Sequence, residues 1–239
     1  YSAHVTRRYR WIRGDWQIAR WAFPRVPGAD GRTLSNPLSA LSRWKIFDNL
    51  RRSLVPAAMT SLFVVGWVLL SPAWLWTLAT LGLFLIAPLL GALVDLVRKP
   101  EDMRMSQHLA ATAQAMTQHL THALLTLMCL PYESFYSLDA ILRTAGRVWF
   151  TRTRLLEWNP SGAVDKGRTD LIGSYRSMWI GPAMVLVITI LLMQMRAEAL
   201  LVAAPVLGLW ALSPLFTWWI STPLAPREAR LTADQTMFL

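Results

Sequence analysis

Four stretches of this chain are too apolar to be left in water, and they constrain everything it can fold into. Leu54 to Leu70 carries no charged residue, Ala73 to Val97 carries only Asp95 near its end, and Met178 to Met195 and Ala199 to Ile220 carry none. A helix of about 20 such residues crosses the hydrocarbon of a bilayer. The pattern predicts an all-α membrane protein with four transmembrane helices in two pairs, 54–70 with 73–97 and 178–195 with 199–220. The turns of the pairs fall at Ser71-Pro72 and at Arg196-Ala197-Glu198. Pro56, Pro88, Pro205 and Pro214 are tolerated in such helices where neighbours satisfy the carbonyls they free. A composition of 54% hydrophobic residues with 13 Trp agrees, and Trp210, Trp218 and Trp219 suit the membrane interface. Asp95, just ahead of Arg98-Lys99, reads as a charge at a helix end.

The net charge of +10 is unevenly placed. Residues 1–53 hold 11 Lys/Arg against 3 Asp/Glu, and residues 98–177 hold 10 against 7. The two expected turns are short and nearly neutral, so the basic segments share one side and both ends are expected in the cytoplasm. This rule accounts for the charge without a nucleic acid. No recognised nucleic-acid module accompanies it, and none is expected as a partner.

Around the spans the chain divides further. In residues 1–53, Asp15 to Phe23 reads as a short helix stopped by Pro24, and 24–36 as a loop. A second interfacial helix follows, capped by Asn36 with Pro37 in its first turn. Residues 98–177 read as cytoplasmic, surface-lying or protein-packed amphipathic helices that meet at Pro131, followed by a polar loop from Asn159 to Gly173 that opens a short helix. Residues 221–239 read as a linker, with a capping-box pattern at Thr232 to Gln235. The chain opens at Tyr1 without an initiator Met and stops as a further helix begins, so it is expected to be an internal piece of a longer protein. The single Cys129 reads as a buried apolar residue.

Few residues promise chemistry. His108, His119 and His122 fall near one face of a helix, but no Cys or carboxylate completes a metal set. Among the carboxylates Asp15, Glu133, Asp139 and Glu157, the last three are expected to pair with Arg143, Arg147 and Arg154 on a helix surface. The dense feature is the block Arg7-Arg8-Tyr9-Arg10-Trp11-Ile12-Arg13-Gly14-Asp15-Trp16-Gln17. Arg forks grip phosphate oxygens, and Trp faces stack on sugar rings. The same residue types also suit a lipid-headgroup belt.

Arg7 to Gly14 resembles the Q-R-x-R-W-x-x-G segment of processive, membrane-bound family 2 glycosyltransferases, such as cellulose and chitin synthases. Arg7 stands where that motif has Gln. Longer runs resemble the cyclic β-1,2-glucan synthases of glycosyltransferase family 84. They are 8–18 (RYRWIRGDWQI), 36–56 (NPLSALSRWKIFDNLRRSLVP), Leu-Pro-Tyr-Glu at 130–133, Ser-Leu-Asp-Ala-Ile at 137–141 and Leu-Leu-Glu-Trp at 155–158. The tail at 226–239 is similar to the approach to that family's glucoamylase-like part.

The resemblance implies that residues 1–53 end a GT-A type glycosyltransferase region. It also implies inverting transfer of glucose from UDP-glucose to a growing β-glucan, in a bacterial inner membrane. Arg10 would hold the UDP diphosphate and Trp11 would stack under the acceptor. Arg7 and Arg13 would make secondary contacts, Gly14 would permit close approach, and Asp15 and Gln17 would bond sugar hydroxyls. Asp15 as a helix cap is the plainer reading. The general base and the aspartates for a divalent metal, Mg or Mn, are expected upstream of Tyr1, so no residue of this chain is expected to bind the metal. Other domains of the same polypeptide and a separate glucan exporter are expected partners. A linear-glucan or cellulose-type synthase and a non-catalytic anchor or transporter subunit are the alternatives. From the topology, a reporter fused at Ser71 or Ala197 is expected to be periplasmic and one at Gly162 cytoplasmic. A periplasmic Gly162 would overturn the four-crossing arrangement.

Overall fold

The computed structural model describes residues 1–28, 31–99, 101–151 and 170–222. Among these, seven α-helices follow one another: α1 (Ser2–Gln17), α2 (Ala40–Val68), α3 (Ala73–Val97), α4 (Met105–Gly146), α5 (Leu171–Ser177), α6 (Ile180–Met195) and α7 (Ala199–Ile220). The first helix is a correction to the expected one, since α1 ends where a helix from Asp15 was expected to begin, and a 3-10 turn covers Ala19–Ala22. The whole Arg/Trp block is therefore helical. Its buried side is thin and built on large side chains, with Ile12 fully buried and Val5, Tyr9 and Trp16 packed around the same contact. Charged residues between them hide the helical period.

The expected loop at 24–36 holds a small antiparallel hairpin, β1 (Arg25–Pro27) with β2 (Thr33–Ser35), in which Val26 lies opposite Leu34. Three-residue strands are too short to leave an alternating pattern. Asn36 does not cap α2. Its amide donates to the Trp21 and Phe23 carbonyls, both at 2.8 Å, and Ser39 caps α2 by accepting from the Ser42 N–H at 3.2 Å. The interfacial helix and the first expected span are a single helix, because Asp48 pairs with Arg51 and Arg52 one turn on and nothing breaks the turn between.

Two helices, α3 and α7, are long and apolar enough to cross a membrane, with the bounds expected for them. Helices α5 and α6, bent by 64° at a short break, make a third span if they act as one. The four separate crossings expected from the apolar runs thus reduce to two or three among the described residues. In α2 any 18-residue stretch ending at Val68 takes in Arg51 and Arg52, leaving an uncharged part of about 24 Å at 1.5 Å per residue. The run from Met178 loses its first two residues to the bend ahead of α6.

The largest correction is α4. Instead of two helices meeting at Pro131, it is one helix of 42 residues that runs through the proline. The neighbouring helices pack along it. Leu96 of α3 meets His108 near its start, the α2–α3 corner and α7 meet it at Leu127 and Leu130, and Thr60 of α2 meets Ser134 at 2.6 Å. At the centre Phe63, Trp67 and Trp210 pack ring against ring, with centroids 5.2 to 5.9 Å apart. Cys129 is buried, as expected. The two expected turns come together, since Arg196 donates to the Leu70 carbonyl. Asp170 caps the short helix α5 through the Gly173 N–H at 2.8 Å. The rest of the expected loop, the capping-box tail, and Glu157 with Arg154 lie outside the described residues.

At the α2–α3 corner a Cβ on Gly66 would stand 2.7 Å from Trp76 Cβ, an atom fixed by the backbone. Gly66→Ala is expected to cost about 1–3 kcal/mol by overpacking. Thermal unfolding in detergent should register this as a lower Tm. Gly82→Ala on open α3 surface should cause no such loss.

Candidate functional site

Helix α1 rests on α4 and α2 by one face. Ile12, 4% exposed, packs against Tyr136, Ala140 and Ile141 of α4. Polar contacts flank this apolar plug. The Tyr9 hydroxyl donates to Asp139 Oδ2 at 2.7 Å, the Trp16 indole donates to Ser53 Oγ at 2.9 Å, and Asn49 donates to Asp15 Oδ1 at 3.1 Å.

The expected site residues divide by their place on this helix. Arg7, Trp11 and Gly14, spaced by four and three, are all exposed and form one outward stripe. Trp11 is 64% exposed, an unusual position for so large an apolar ring. A Cβ on Gly14 would meet nothing within 4 Å, so packing among the described residues does not require a glycine there. Arg10, Arg13 and Gln17 form the adjacent stripe, half-buried, and each has an interaction within the chain. Asp15 lies on the opposite flank, bonded to Asn49, and in the last turn of α1 it cannot be an N-terminal cap. The structure therefore gathers Arg7, Arg10, Trp11, Arg13, Gly14 and Gln17 on one side of a single helix and sets Asp15 apart.

Burial shapes the electrostatics beneath. The Tyr9 phenol is pushed up to about 12 by burial and by its bond to Asp139. Burial raises the Asp15 carboxyl, opposed by the Asn49 hydrogen bond and by Arg52. Among the described residues the charge that acts on Glu133 is Arg8 of α1, not Arg143 of α4. The Glu133 carboxyl sits under α1, raised by burial and countered by Arg8. Asp139 does pair as expected, with Arg143 Nε at 2.6 Å. Arg8, Tyr9, Asn49 and Ser53 were missed as supports of the block. The spacing of Tyr9, Ile12 and Trp16 was the available signal.

Among the described residues no three His, Cys, Asp or Glu side chains converge on a point. His108 is buried with Nε2 3.2 Å from the Leu96 carbonyl, whereas His119 and His122 are exposed, so the three histidines do not act together. These residues do not fit a divalent-metal centre. Two apolar grooves, between α6 and α7 and between α3 and α4, lie away from α1.

No protein-family model matches the chain. Among curated proteins, the cyclic beta-(1,2)-glucan synthase NdvB of Rhizobium meliloti is 28% identical to it over 240 residues. The resemblance to a cyclic β-1,2-glucan synthase is borne out. The alignment takes in 99% of this chain and 8% of NdvB, so the chain spans a small part of the length of its relative. With such coverage, the α1 block and the apolar helices α3 and α7 fall in one aligned stretch.

Proposed function

We propose that this chain is the membrane portion of a glucosyltransferase that polymerises glucose from UDP-glucose into cyclic β-1,2-glucan, and that α1 seats the substrates. The observation that carries the reading is the outward Trp11 between exposed Arg7 and Gly14, on a helix whose opposite face is locked down by Ile12. A rigid indole face suits the apolar face of an acceptor sugar. Arg10, one residue before it, grips the diphosphate of the donor.

During transfer an acceptor hydroxyl oxygen bonds to the anomeric carbon of the donor glucose, while the bond from that carbon to the UDP oxygen breaks. Negative charge then grows on the departing UDP. Arg10 stabilises that charge, with Arg7 and Arg13 adding to the local positive potential. Gly14 leaves room for a sugar to approach the helix backbone. Gln17 supplies a hydrogen bond to sugar hydroxyls, and Asp15 keeps its bond to Asn49. The proton-accepting base and any metal-holding aspartates belong to the remainder of the polypeptide.

Helices α3 and α7 anchor the site to a bacterial inner membrane, with the basic segments on the cytoplasmic side where UDP-glucose is made available. A product completed on that side requires a separate exporter.

Arg10→Ala or Trp11→Ala in the intact enzyme is expected to abolish glucan synthesis, a loss on the order of 10²–10³-fold in rate for one charge-stabilising group. Membrane insertion should be unaffected. Normal incorporation of glucose from UDP-glucose by both variants would sink the assignment.

A further inference from the structure

Tyr9 directly precedes Arg10 and Trp11 in sequence but faces the other way, into the contact between α1 and α4. Its hydroxyl donates to Asp139 Oδ2 at 2.7 Å. The other carboxylate oxygen, Oδ1, accepts from Arg143 Nε at 2.6 Å, one turn further along α4. Both oxygens of one carboxylate are thus engaged, and the Arg143 contact selects the rotamer that presents Oδ2 to Tyr9.

This bond does something that Ile12 cannot. Apolar burial is non-directional, so it fixes the rotation of a helix less sharply than a hydrogen bond does. A hydrogen bond requires a donor aimed at its acceptor. Rotation of α1 about its axis changes the direction in which every side chain on it projects, Arg10 and Trp11 included. The Trp16–Ser53 bond fixes the far end of α1, two turns away. Tyr9–Asp139 fixes the end that carries Arg7, Arg10 and Trp11.

We infer that Asp139 is a positioning residue for this site: by holding Tyr9 it sets the rotation of α1 and thereby the direction in which Arg10 and Trp11 project. The inference rests on the proposed function, because it gives Asp139 a role in the same site. Asp139 touches no substrate. Arg143, with 64% of its side chain exposed, adds orientation to the carboxylate more than energy.

The test uses the full-length enzyme in its native membrane, with glucan synthesis measured against UDP-glucose concentration per mole of folded protein. Tyr9→Phe keeps the ring and its burial and removes only the hydroxyl. Asp139→Ala removes the acceptor, and Asp139→Asn leaves a single accepting oxygen for which the Tyr9 hydroxyl and Arg143 Nε compete. Tyr9→Phe and Asp139→Ala are each expected to lower kcat/KM about tenfold, the scale of one lost hydrogen bond to a charged acceptor. The double variant should be no worse than either single one, and Asp139→Asn should fall between the wild type and Asp139→Ala.

A purely structural role would lower the yield or the Tm and leave kcat/KM per folded molecule unchanged. That result, or additive losses in the double variant, would overturn the inference even where Trp11→Ala abolishes synthesis. Normal synthesis by Trp11→Ala would overturn the site itself, and the positioning role with it. If Asp139→Ala fails to fold, Tyr9→Phe and Asp139→Asn decide the matter.

Discussion

A carbonyl left without its helical partner is the point on which this structure depends. Pro131 has no N–H, so the carbonyl of Leu127, four residues back, loses its donor in the most buried part of α4. Leaving such a group unsatisfied costs about 1–3 kcal/mol. The indole of Trp210, reaching in from α7, donates to it at 3.0 Å. Trp210 has the same defect in its own backbone, because Pro214 frees the Trp210 carbonyl, and Ser213 Oγ bonds that oxygen at 2.9 Å. The ring of Trp210 lies against Phe63 and Trp67, and Trp67 donates in turn to Thr77 at 2.8 Å. Helices α2, α3, α4 and α7 are tied together where two prolines would otherwise have weakened two of them.

The candidate site depends on this junction at one remove. Asp139, Ala140 and Ile141 lie about 12–15 Å along α4 from Pro131 at 1.5 Å per residue, and they are the surface on which α1 sits. A continuous α4 held at this junction gives α1 its seat. The two faces of α1 then divide the labour: Tyr9, Ile12 and Trp16 hold on, while Arg7, Trp11 and Gly14 are left outward and Arg10 and Arg13 stand beside them. The membrane helices thereby set the orientation of residues whose proposed partners are a sugar and a diphosphate outside the bilayer.

Sequence legibility followed the physics of each segment. Helices α3 and α7 were readable to the residue, because long uncharged runs have few ways to fold in a bilayer. The resemblance to cyclic β-1,2-glucan synthase was readable from the long runs around Arg10, Trp44 and Glu133, and the similarity to NdvB agrees with it. The continuity of α4 was not readable. A proline in mid-helix ordinarily marks a break, and what overrides it is a tryptophan 79 positions further along the chain. In α1 the buried positions are few and separated by arginines, so the helix read as an irregular basic block. Asn36 carried a capping signature, but its amide was needed by the turn before it. The contacts of Asp139, Ser53 and Asn49 with α1 are long-range and leave no local pattern.

The claim that Trp210 and the Leu127 carbonyl freed by Pro131 lock the scaffold together is tested most directly by a double-mutant cycle read as thermal stability of the detergent-solubilised protein. Trp210→Phe keeps an aromatic ring and removes the donor, which should cost about 1–3 kcal/mol beyond the loss of buried ring volume. Pro131→Ala restores an N–H that can bond the Leu127 carbonyl within α4. In the Pro131→Ala background the cost of Trp210→Phe should therefore fall by the hydrogen-bond part, leaving only the cost of the smaller ring. Equal losses in the two backgrounds would contradict the account.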